Sequence, residues 1–262
     1  MRVFRRSLWD EKSTILIWAL ILALYAVFGV SSYKSFGQSE TLNQLMQGLP
    51  EYMLAMFGGL PWGTVDGYLN TEIFSFLSLL TALYAALFGA SALAKEQDSH
   101  TIESLLAQPV RRWSVVLGKF GAMAVGAVLL NLVLVATVVL FLSVFGLEGA
   151  SAATYPIVAL ASTLTAVATG ALALFVSTLG PDQSKAAAYG TGIVIGLYFV
   201  NVIGQISDKA KFLTHVNPFG YYRSASIITS GHIAWGDAAF LVGFTLGFLA
   251  LAVWWFEKKD LT

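Results

Sequence analysis

The sequence predicts an all-α integral membrane protein, and three observations lead to that fold class. Hydrophobic residues make up 57% of the 262 residues, whereas charged residues make up 11%. The mean hydropathy of +0.73 is outside the range of ordinary soluble domains. Six apolar runs follow one another, each long enough to cross roughly 30 Å of hydrocarbon as a helix. Membrane β-strands are excluded because they are about ten residues long and alternate in polarity.

The six runs are predicted to form one transmembrane domain that covers residues 1–262. They lie at about 14–33, 72–94, 120–146, 155–180, 187–206 and 236–256. Residues 1–13 are predicted to form an interfacial helix, with Val3, Phe4, Leu8 and Trp9 toward lipid and the arginines at the headgroups.

The basic residues predict the orientation of the chain. Six spans place both termini and the loops 95–119 and 181–186 on the same side of the membrane. That side carries 11 of the 15 lysines and arginines, so the positive-inside rule makes it cytoplasmic. We therefore expect a multi-pass protein of the cell (plasma) membrane with both termini in the cytoplasm.

Charged side chains are missing from the middle of every apolar run, and this limits the chemistry that the spans can perform. Ion-coupled transporters usually need ionisable groups inside the membrane. His100, His215 and His232 all lie in loops, which argues against an intramembrane metal enzyme. Gly118-Lys119 lacks the upstream glycine of a phosphate-binding loop. We expect no catalytic residue, metal site or bound cofactor in this chain, and no nucleic-acid partner.

A few uncharged polar residues do enter the predicted spans. Those that can form a weakly polar substrate path are Asn131, Ser162, Thr165, Thr169 and Asn201. The alternative is that these groups bond to their own helix or to a neighbouring one.

Small residues recur at helical spacing in three of the runs. They are Gly118, Ala122 and Gly126 in the third, Gly192 and Gly196 in the fifth, and Gly243 and Gly247 in the sixth. Such faces allow helices to approach closely, either within the chain or at a dimer interface.

Two longer segments lie on the outer side. The first, 34–70, is predicted to form two short helices separated by Pro50, and they either rest on the lipid or cover a path. The second contains Phe219, Tyr221 and Tyr222 after an Asn-Pro turn. These rings form either an aromatic belt or an outer gate carried by a short helix that dips into the membrane.

On the cytoplasmic side, the segment between the second and third spans predicts a short amphipathic helix. Ile102, Leu105 and Leu106 form an apolar stripe, and Pro109 ends the helix. A two-turn helix is marginal alone, so it needs support from the bilayer or from a groove on a partner.

This segment resembles the corresponding loop of ABC-2 type transporter permeases. The matching residues are Glu96, Thr101-Ile102-Glu103, Leu105-Leu106, Pro109, Arg111-Arg112 and Gly118-Lys119. His100 departs from the pattern, because the family commonly has glycine before the threonine. Asn217-Pro218-Phe219 with Tyr221-Tyr222 is similar to the family's segment before the last span. The six-span layout and the amphipathic N-terminus extend the resemblance over nearly the whole chain.

The resemblance implies one permease half of an ATP-driven exporter. Two such subunits, identical or different, would form the pathway in the bilayer, and separate cytoplasmic ABC ATPase subunits would bind ATP and Mg²⁺. Residues 99–108 would be the coupling helix. The implied contact residues are Glu96, Ser99, His100, Thr101, Ile102, Glu103, Leu105, Leu106, Pro109, Arg111 and Arg112.

Two alternatives stay open at this stage. Glu96 and Glu103 either pair with basic groups of the ATPase or form a solvated helix face. The whole chain is either a permease for an amphipathic or uncharged substrate or a membrane anchor or sensor that recruits a cytoplasmic partner.

Overall fold

The computed structural model describes residues 2–50, 60–94, 111–180 and 182–258. These residues form helices and no strand, and six of the helices are long and apolar enough to cross a membrane, which confirms the predicted fold class. The helices are α1 (Arg2–Asp10), α2 (Lys12–Phe36), α3 (Glu40–Gln47), α4 (Val65–Ala92), α5 (Arg112–Phe145), α6 (Tyr155–Leu179), α7 (Gln183–Ile206), α8 (Ser224–Ser230) and α9 (Trp235–Lys258). Two 3-10 helices, Asp208–Val216 and Pro218–Tyr221, connect α7 to α8.

Local chemistry explains where several helices begin and end. The Thr64 hydroxyl accepts a hydrogen bond from the Gly67 N–H at 3.0 Å and caps the first turn of α4. Gly146, with φ of 62°, ends α5 in the left-handed conformation that glycine adopts without a steric penalty. A helix of 34 residues spans roughly 51 Å, so α5 is much longer than the hydrocarbon is thick and begins well before the apolar run at 120.

Helices α4 and α6 form the centre of the bundle. In their most apolar windows 67% and 78% of the residues are buried, against 22% in α7 and 17% in α9. Gly89 of α4 lies directly on the α6 backbone, because a Cβ there would be 2.6 Å from the carbonyl oxygen of Gly170. The two central helices therefore make the kind of close backbone contact by which membrane helices associate.

The other spans surround this central pair. Helix α5 contacts both central helices, α2 packs mainly on α5, α7 packs on α4, and α9 packs on α6. Helix α3 is the first of the two outer helices predicted in 34–70, and the second, after Pro50, lies outside the described residues.

A single π-helical turn, Asn70–Phe74, interrupts α4 near its outer end. A π turn takes carbonyl groups out of the regular α-helical ladder, and they need other donors. The Tyr25 hydroxyl of α2 donates to the Glu72 carbonyl oxygen, and the Tyr222 hydroxyl donates to the Phe74 carbonyl oxygen at 2.7 Å. The turn thus joins α2, α4 and the segment that precedes α8.

The small-residue faces have different environments. A Cβ on Gly126 would lie 1.9 Å from the Tyr84 hydroxyl oxygen, so this face of α5 packs within the chain. In contrast, a Cβ on Gly192, Gly196, Gly243 or Gly247 would have no neighbouring atom within 4 Å. The glycine faces of α7 and α9 are therefore open in the single chain.

Helix α1 differs from the sequence prediction in the direction of two side chains. Val3 and Phe4 were expected to face lipid, but they lie on α5, where a Cβ on Gly118 would be 3.1 Å from the Val3 side chain. Trp9 is exposed, as expected for a lipid contact. Helix α1 can lie on α5 because Gly118 and Gly121 leave a flat surface there.

Candidate functional site

The predicted coupling segment lies outside the described residues, but both of its attachment points lie within them. Its predicted residues that are not described are Glu96, Ser99, His100, Thr101, Ile102, Glu103, Leu105, Leu106 and Pro109. The chain leaves α4 at Ala94 and returns at Arg111, the residue before α5. The site that can be built from the structure is therefore the mount that holds the two ends of this segment.

The first attachment point is fastened to α6 through Ser177. Its fully buried hydroxyl accepts hydrogen bonds from the backbone N–H groups of Leu93 at 3.0 Å and Ala94 at 3.1 Å. Buried backbone donors need such partners where a helix ends. These two bonds join the end of α4 to α6, the other central helix.

The second attachment point is fastened to α9 through Arg112. Its guanidinium donates to the carbonyl oxygens of Phe256 at 3.4 Å and Glu257 at 3.3 Å, in the last turn of α9. The C-terminus of a helix carries free carbonyls and partial negative charge, and a guanidinium satisfies both. Arg111 precedes α5 in an extended conformation, and its carbonyl oxygen accepts from the Ser114 hydroxyl at 2.7 Å.

Helix α1 completes the mount. It lies across the first turns of α5, where the Phe4 ring would be 3.2 Å from a Cβ on Gly121. Lys119 is buried in this region. The start of α5 is thus enclosed by α1 on one face and tied to α9 at its first residue, which gives the second attachment point a firm base.

Helix α7 begins on the same side of the bundle with a charged cap. The Asp182 carboxylate accepts from the Lys185 N–H at 3.0 Å and lies 3.0 Å from the Lys185 ammonium. The backbone N–H, followed by the side chain of Lys185, holds the pKa of Asp182 below its usual range. The cap is therefore ionised at neutral pH.

Three of the residues predicted for the substrate path lie on α6, and one of them, Ser162, contacts α4. The Ser162 hydroxyl is 2.9 Å from the Thr81 hydroxyl of α4. Ser162, Thr165 and Thr169 are all buried. Thr165 donates to the Ala161 carbonyl at 3.1 Å and Thr169 donates to the Thr165 carbonyl at 2.9 Å. Ser162 therefore lies at the α4–α6 contact, Thr165 and Thr169 bond to their own helix, and a role of the three in a path stays a prediction.

The two asparagines predicted for the path lie on different helices. Asn131 of α5 donates from its amide to the Ala127 carbonyl at 2.9 Å, and Asn201 of α7 is buried. Within the described part of the chain, the side-chain oxygen of each has no hydrogen-bond donor. These oxygens are polar groups that a substrate or a second chain can still satisfy.

The predicted outer-gate residues occupy three distinct positions. Phe219 is buried, with its ring centre 5.5 Å from that of Tyr198 on α7. Tyr221 stacks on Phe240 of α9 at 3.9 Å, and Tyr222 binds the π turn of α4 as described above. The three rings therefore connect this segment to three different spans, and a gating role stays a prediction.

Asn217 fixes that segment. Its side chain donates to the Leu197 carbonyl at 2.6 Å and accepts from the Phe219 N–H at 3.0 Å. The Asn-Pro pair was read from the sequence only as a turn signal, because its long-range bond to α7 has no sequence signature.

Sequence reasoning predicted Arg112 as a contact of the ATPase but missed Ser177, at the other end of the mount, and Tyr155, which joins the far ends of α6 and α4. Ser177 and Tyr155 carry these contacts, and neither belongs to a spacing pattern. A polar residue near the end of an apolar run is a weak signal that a helix terminus lies nearby. The sequence does not show which residue such a polar side chain bonds to.

Comparison with known protein families identifies the family of the chain. The model of the family described as ABC-2 family transporter protein matches residues 2–261. No curated protein matches the chain significantly. Six membrane-length helices indicate a multi-pass membrane protein, as expected for a transmembrane component of a transporter. Since the match extends over the whole chain, this protein belongs to the ABC-2 transporter family.

Proposed function

We propose that this chain is the permease subunit of an ATP-driven exporter for an amphipathic or uncharged substrate. Membership of the ABC-2 family implies association with an ABC ATPase and a bilayer. The observation that carries the proposal is the mount. Ser177 fastens one end of the segment 95–110 to α6, and Arg112 fastens the other end to α9. A partner that pushes on this segment would move two spans at once.

The distribution of charge supports an external source of energy. In the described spans, the acidic and basic residues lie near the helix ends, as Glu72 does in α4, Lys119 in α5 and Asp237 in α9. Coupling to protons or ions usually needs ionisable groups at the middle of the membrane. ATP and Mg²⁺ would be bound by a separate cytoplasmic ATPase subunit that docks on residues 99–108.

The open faces of α7 and α9 support a second permease subunit. Both helices are among the least buried spans, and their glycine faces have no neighbour among the described residues. Glycine faces in membranes are typical contact surfaces between helices. A substrate path between two subunits would also explain why the single bundle is closely packed between α4 and α6.

The mount also supports cytoplasmic termini in the plasma membrane. Arg112 contacts the last turn of α9, and α1 covers the start of α5, so both termini lie at the same end of the bundle. That end carries most of the basic residues, as the positive-inside rule requires of the cytoplasmic side.

A pull-down tests this function. The tagged chain is purified from its native membrane in mild detergent, and the preparation is assayed for a nucleotide-binding subunit and for ATPase activity. We expect a stoichiometric ATPase that is lost when Leu105 and Leu106 are replaced by Asp. The matched control is Leu45→Asp on the exposed face of α3, which should retain the ATPase.

The result also separates the alternatives. Full ATPase binding and transport in the Leu105→Asp, Leu106→Asp variant would contradict the proposed docking site. A chain that never co-purifies with an ATPase in several gentle detergents would favour an anchor or sensor.

A further inference from the structure

A cavity of about 250 Å³ lies between the outer ends of α2 and α4. It is lined by Phe28, Ser32, Phe36, Leu42, Trp62, Tyr68 and Glu72. Phe28, Ser32 and Phe36 follow one another at four-residue spacing, which places them on one face of α2. Tyr68 and Glu72 have the same spacing on α4. The cavity therefore has two helical walls, one largely aromatic and the other with a ring and a carboxylate.

Two of the aromatic side chains of this cavity, Tyr68 and Trp62, are held in place. The Tyr68 hydroxyl is 2.8 Å from the Ser32 hydroxyl, which connects the two walls. The Trp62 ring meets the Tyr68 ring edge to face, with centres 5.1 Å apart. The Tyr33 ring also meets the Tyr68 ring edge to face, with centres 5.4 Å apart. Preorganised rings lose little conformational entropy when a ligand binds.

Glu72 is the charged group of the cavity, and it is half-buried. Among the described residues, no basic side chain lies within ion-pair distance of its carboxylate. The whole stretch 35–72 contains the acidic residues Glu40, Glu51, Asp66 and Glu72 but no lysine, arginine or histidine. Lys34, just before this stretch, is exposed on α2 between the cavity residues Ser32 and Phe36 and forms no ion pair with Glu72. A partly desolvated carboxylate is stabilised by a cation, and no described basic side chain lies close enough to supply one.

We propose that this cavity binds an alkylated ammonium group. Aromatic faces attract such cations through their quadrupoles, and the carboxylate of Glu72 would supply the opposite charge. A bare metal ion does not fit this lining, because a single carboxylate among rings lacks the set of oxygen ligands that hard cations need. The cavity is smaller than the roughly 300–1,000 Å³ typical of sites for whole drug-sized ligands. It therefore accepts a headgroup, with any attached chain outside.

The cation has two possible sources that share this chemistry, a lipid headgroup and a free ammonium compound. The side of the cavity formed by α2 is open, since Phe28 is 68% and Phe36 is 51% exposed. A lipid can enter from that side, and a soluble cation from the outer aqueous phase. The proposal does not depend on the exporter function, because it concerns binding to this chain alone.

Calorimetric titration of the purified chain in a maltoside detergent with choline tests the site. We expect Glu72→Gln to weaken choline binding by about tenfold, because it removes one full charge in a partly buried site. Glu40→Gln is the matched control, an exposed carboxylate in the same acidic stretch, and should leave the affinity unchanged. The neutral isostere dimethylbutanol, in which carbon replaces the nitrogen, should bind far more weakly than choline.

Substitution of an aromatic wall separates a cation–π contact from simple burial. Phe28→Leu should weaken choline binding by about threefold, whereas Phe28→Tyr, which keeps the ring, should not. Phe28 is exposed, so neither change should affect folding. Equal affinities for the two variants would overturn the role of the rings.

Lipid retention distinguishes the two sources. The chain is purified from bilayers with equal amounts of phosphatidylcholine and phosphatidylglycerol, and bound lipids are measured by native mass spectrometry. Enrichment of phosphatidylcholine that disappears in Glu72→Gln would identify the lipid headgroup, and choline binding without enrichment would identify a free ammonium compound. Choline binding that is absent, or unaffected by Glu72→Gln, together with no such enrichment would overturn the proposal.

Discussion

The hydroxyl of Tyr155 donates a hydrogen bond of 2.7 Å to the carboxylate of Asp66, and this bond joins the outer ends of α6 and α4. The same carboxylate oxygen also accepts from the Ser151 N–H at 2.9 Å. Tyr155 is fully buried, and its ring packs 4.8 Å from that of Phe74. The central pair of helices is therefore fastened at one end by Asp66 and at the other end by Ser177.

Tyr155→Phe should destabilise the protein by about 1.5–3 kcal/mol, the usual range for a hydrogen bond to a charged group. The ring stays in place, so the loss reports the bond to Asp66. Denaturant unfolding in detergent measures it, with Tyr189→Phe on the exposed face of α7 as the control. Equal stability of the two variants would show that the bond contributes nothing.

Ser177→Ala should destabilise the protein and weaken the coupling between ATP hydrolysis in the partner and movement of the spans. The N–H groups of Leu93 and Ala94 lose their acceptor, and each buried unpaired donor costs about 1–3 kcal/mol. Ser177→Thr keeps the hydroxyl and should retain most of the stability and activity of the wild type. Ser143→Ala, at an exposed position, serves as the control. Unfolding and ATPase activity of the complex are the two measurements. Wild-type coupling in Ser177→Ala would mean that the mount does not transmit movement.

The ATPase activity of the complex should be sensitive even to a conservative change at Arg112. Lysine keeps the charge near the α9 carbonyls but lacks the planar guanidinium that reaches both of them. We expect substrate-stimulated ATPase activity to fall in the order Arg, Lys, Gln at this position. Arg6→Gln, which removes an exposed ion pair of α1, is the control and should have little effect. The same activity for Arg112→Gln and the wild type would argue against a role for the α9 contact.

Gly126→Ala should destabilise the bundle by about 1–3 kcal/mol through overpacking. The new methyl group would meet the Tyr84 hydroxyl oxygen at 1.9 Å. Because this hydroxyl has no hydrogen-bond partner in the described part of the chain, Tyr84→Phe should cost little alone and should recover part of the loss in the double variant. Thermal unfolding of the three variants gives the coupling energy.

The control for this series is Gly192→Ala, which has open space around the new methyl group and should leave the stability of the single chain nearly unchanged. If it lowers the stability of an oligomer instead, α7 lies at a subunit interface. No recovery in the double variant would show that the contact between Tyr84 and Gly126 is not the source of strain.

The fold class and the six spans could be predicted because the bilayer imposes a strict condition on the backbone. Every peptide group in hydrocarbon must be bonded internally, so a long apolar run becomes a helix whatever its neighbours are. The amphipathic segment between α4 and α5 was predicted for the opposite reason, since its polar composition and apolar stripe stand out against the spans. Its residues Leu105 and Leu106 lie outside the described residues, so their role stays a prediction.

The environment of single residues was harder to predict. Val3 and Phe4 were assigned to lipid but cover α5. The glycines of α7 and α9 repeat the four-residue spacing of Gly118, Ala122 and Gly126, but among the described residues they have no neighbours. An amphipathic pattern distinguishes water from apolar surroundings, and lipid and protein interior are both apolar.

The sequence by itself thus determined that the chain is helical, how many spans it has and which part of it interrupts them. Only the tertiary structure decided that α4 and α6 form the centre, that Ser177 and Arg112 hold the residues on either side of 95–110, and that Tyr68 and Glu72 line one cavity with Phe28. Hydropathy is a local property that the solvent imposes on each segment. Partner choice depends on shape and on single hydrogen bonds between residues far apart in the chain, and these exist only after the helices have packed.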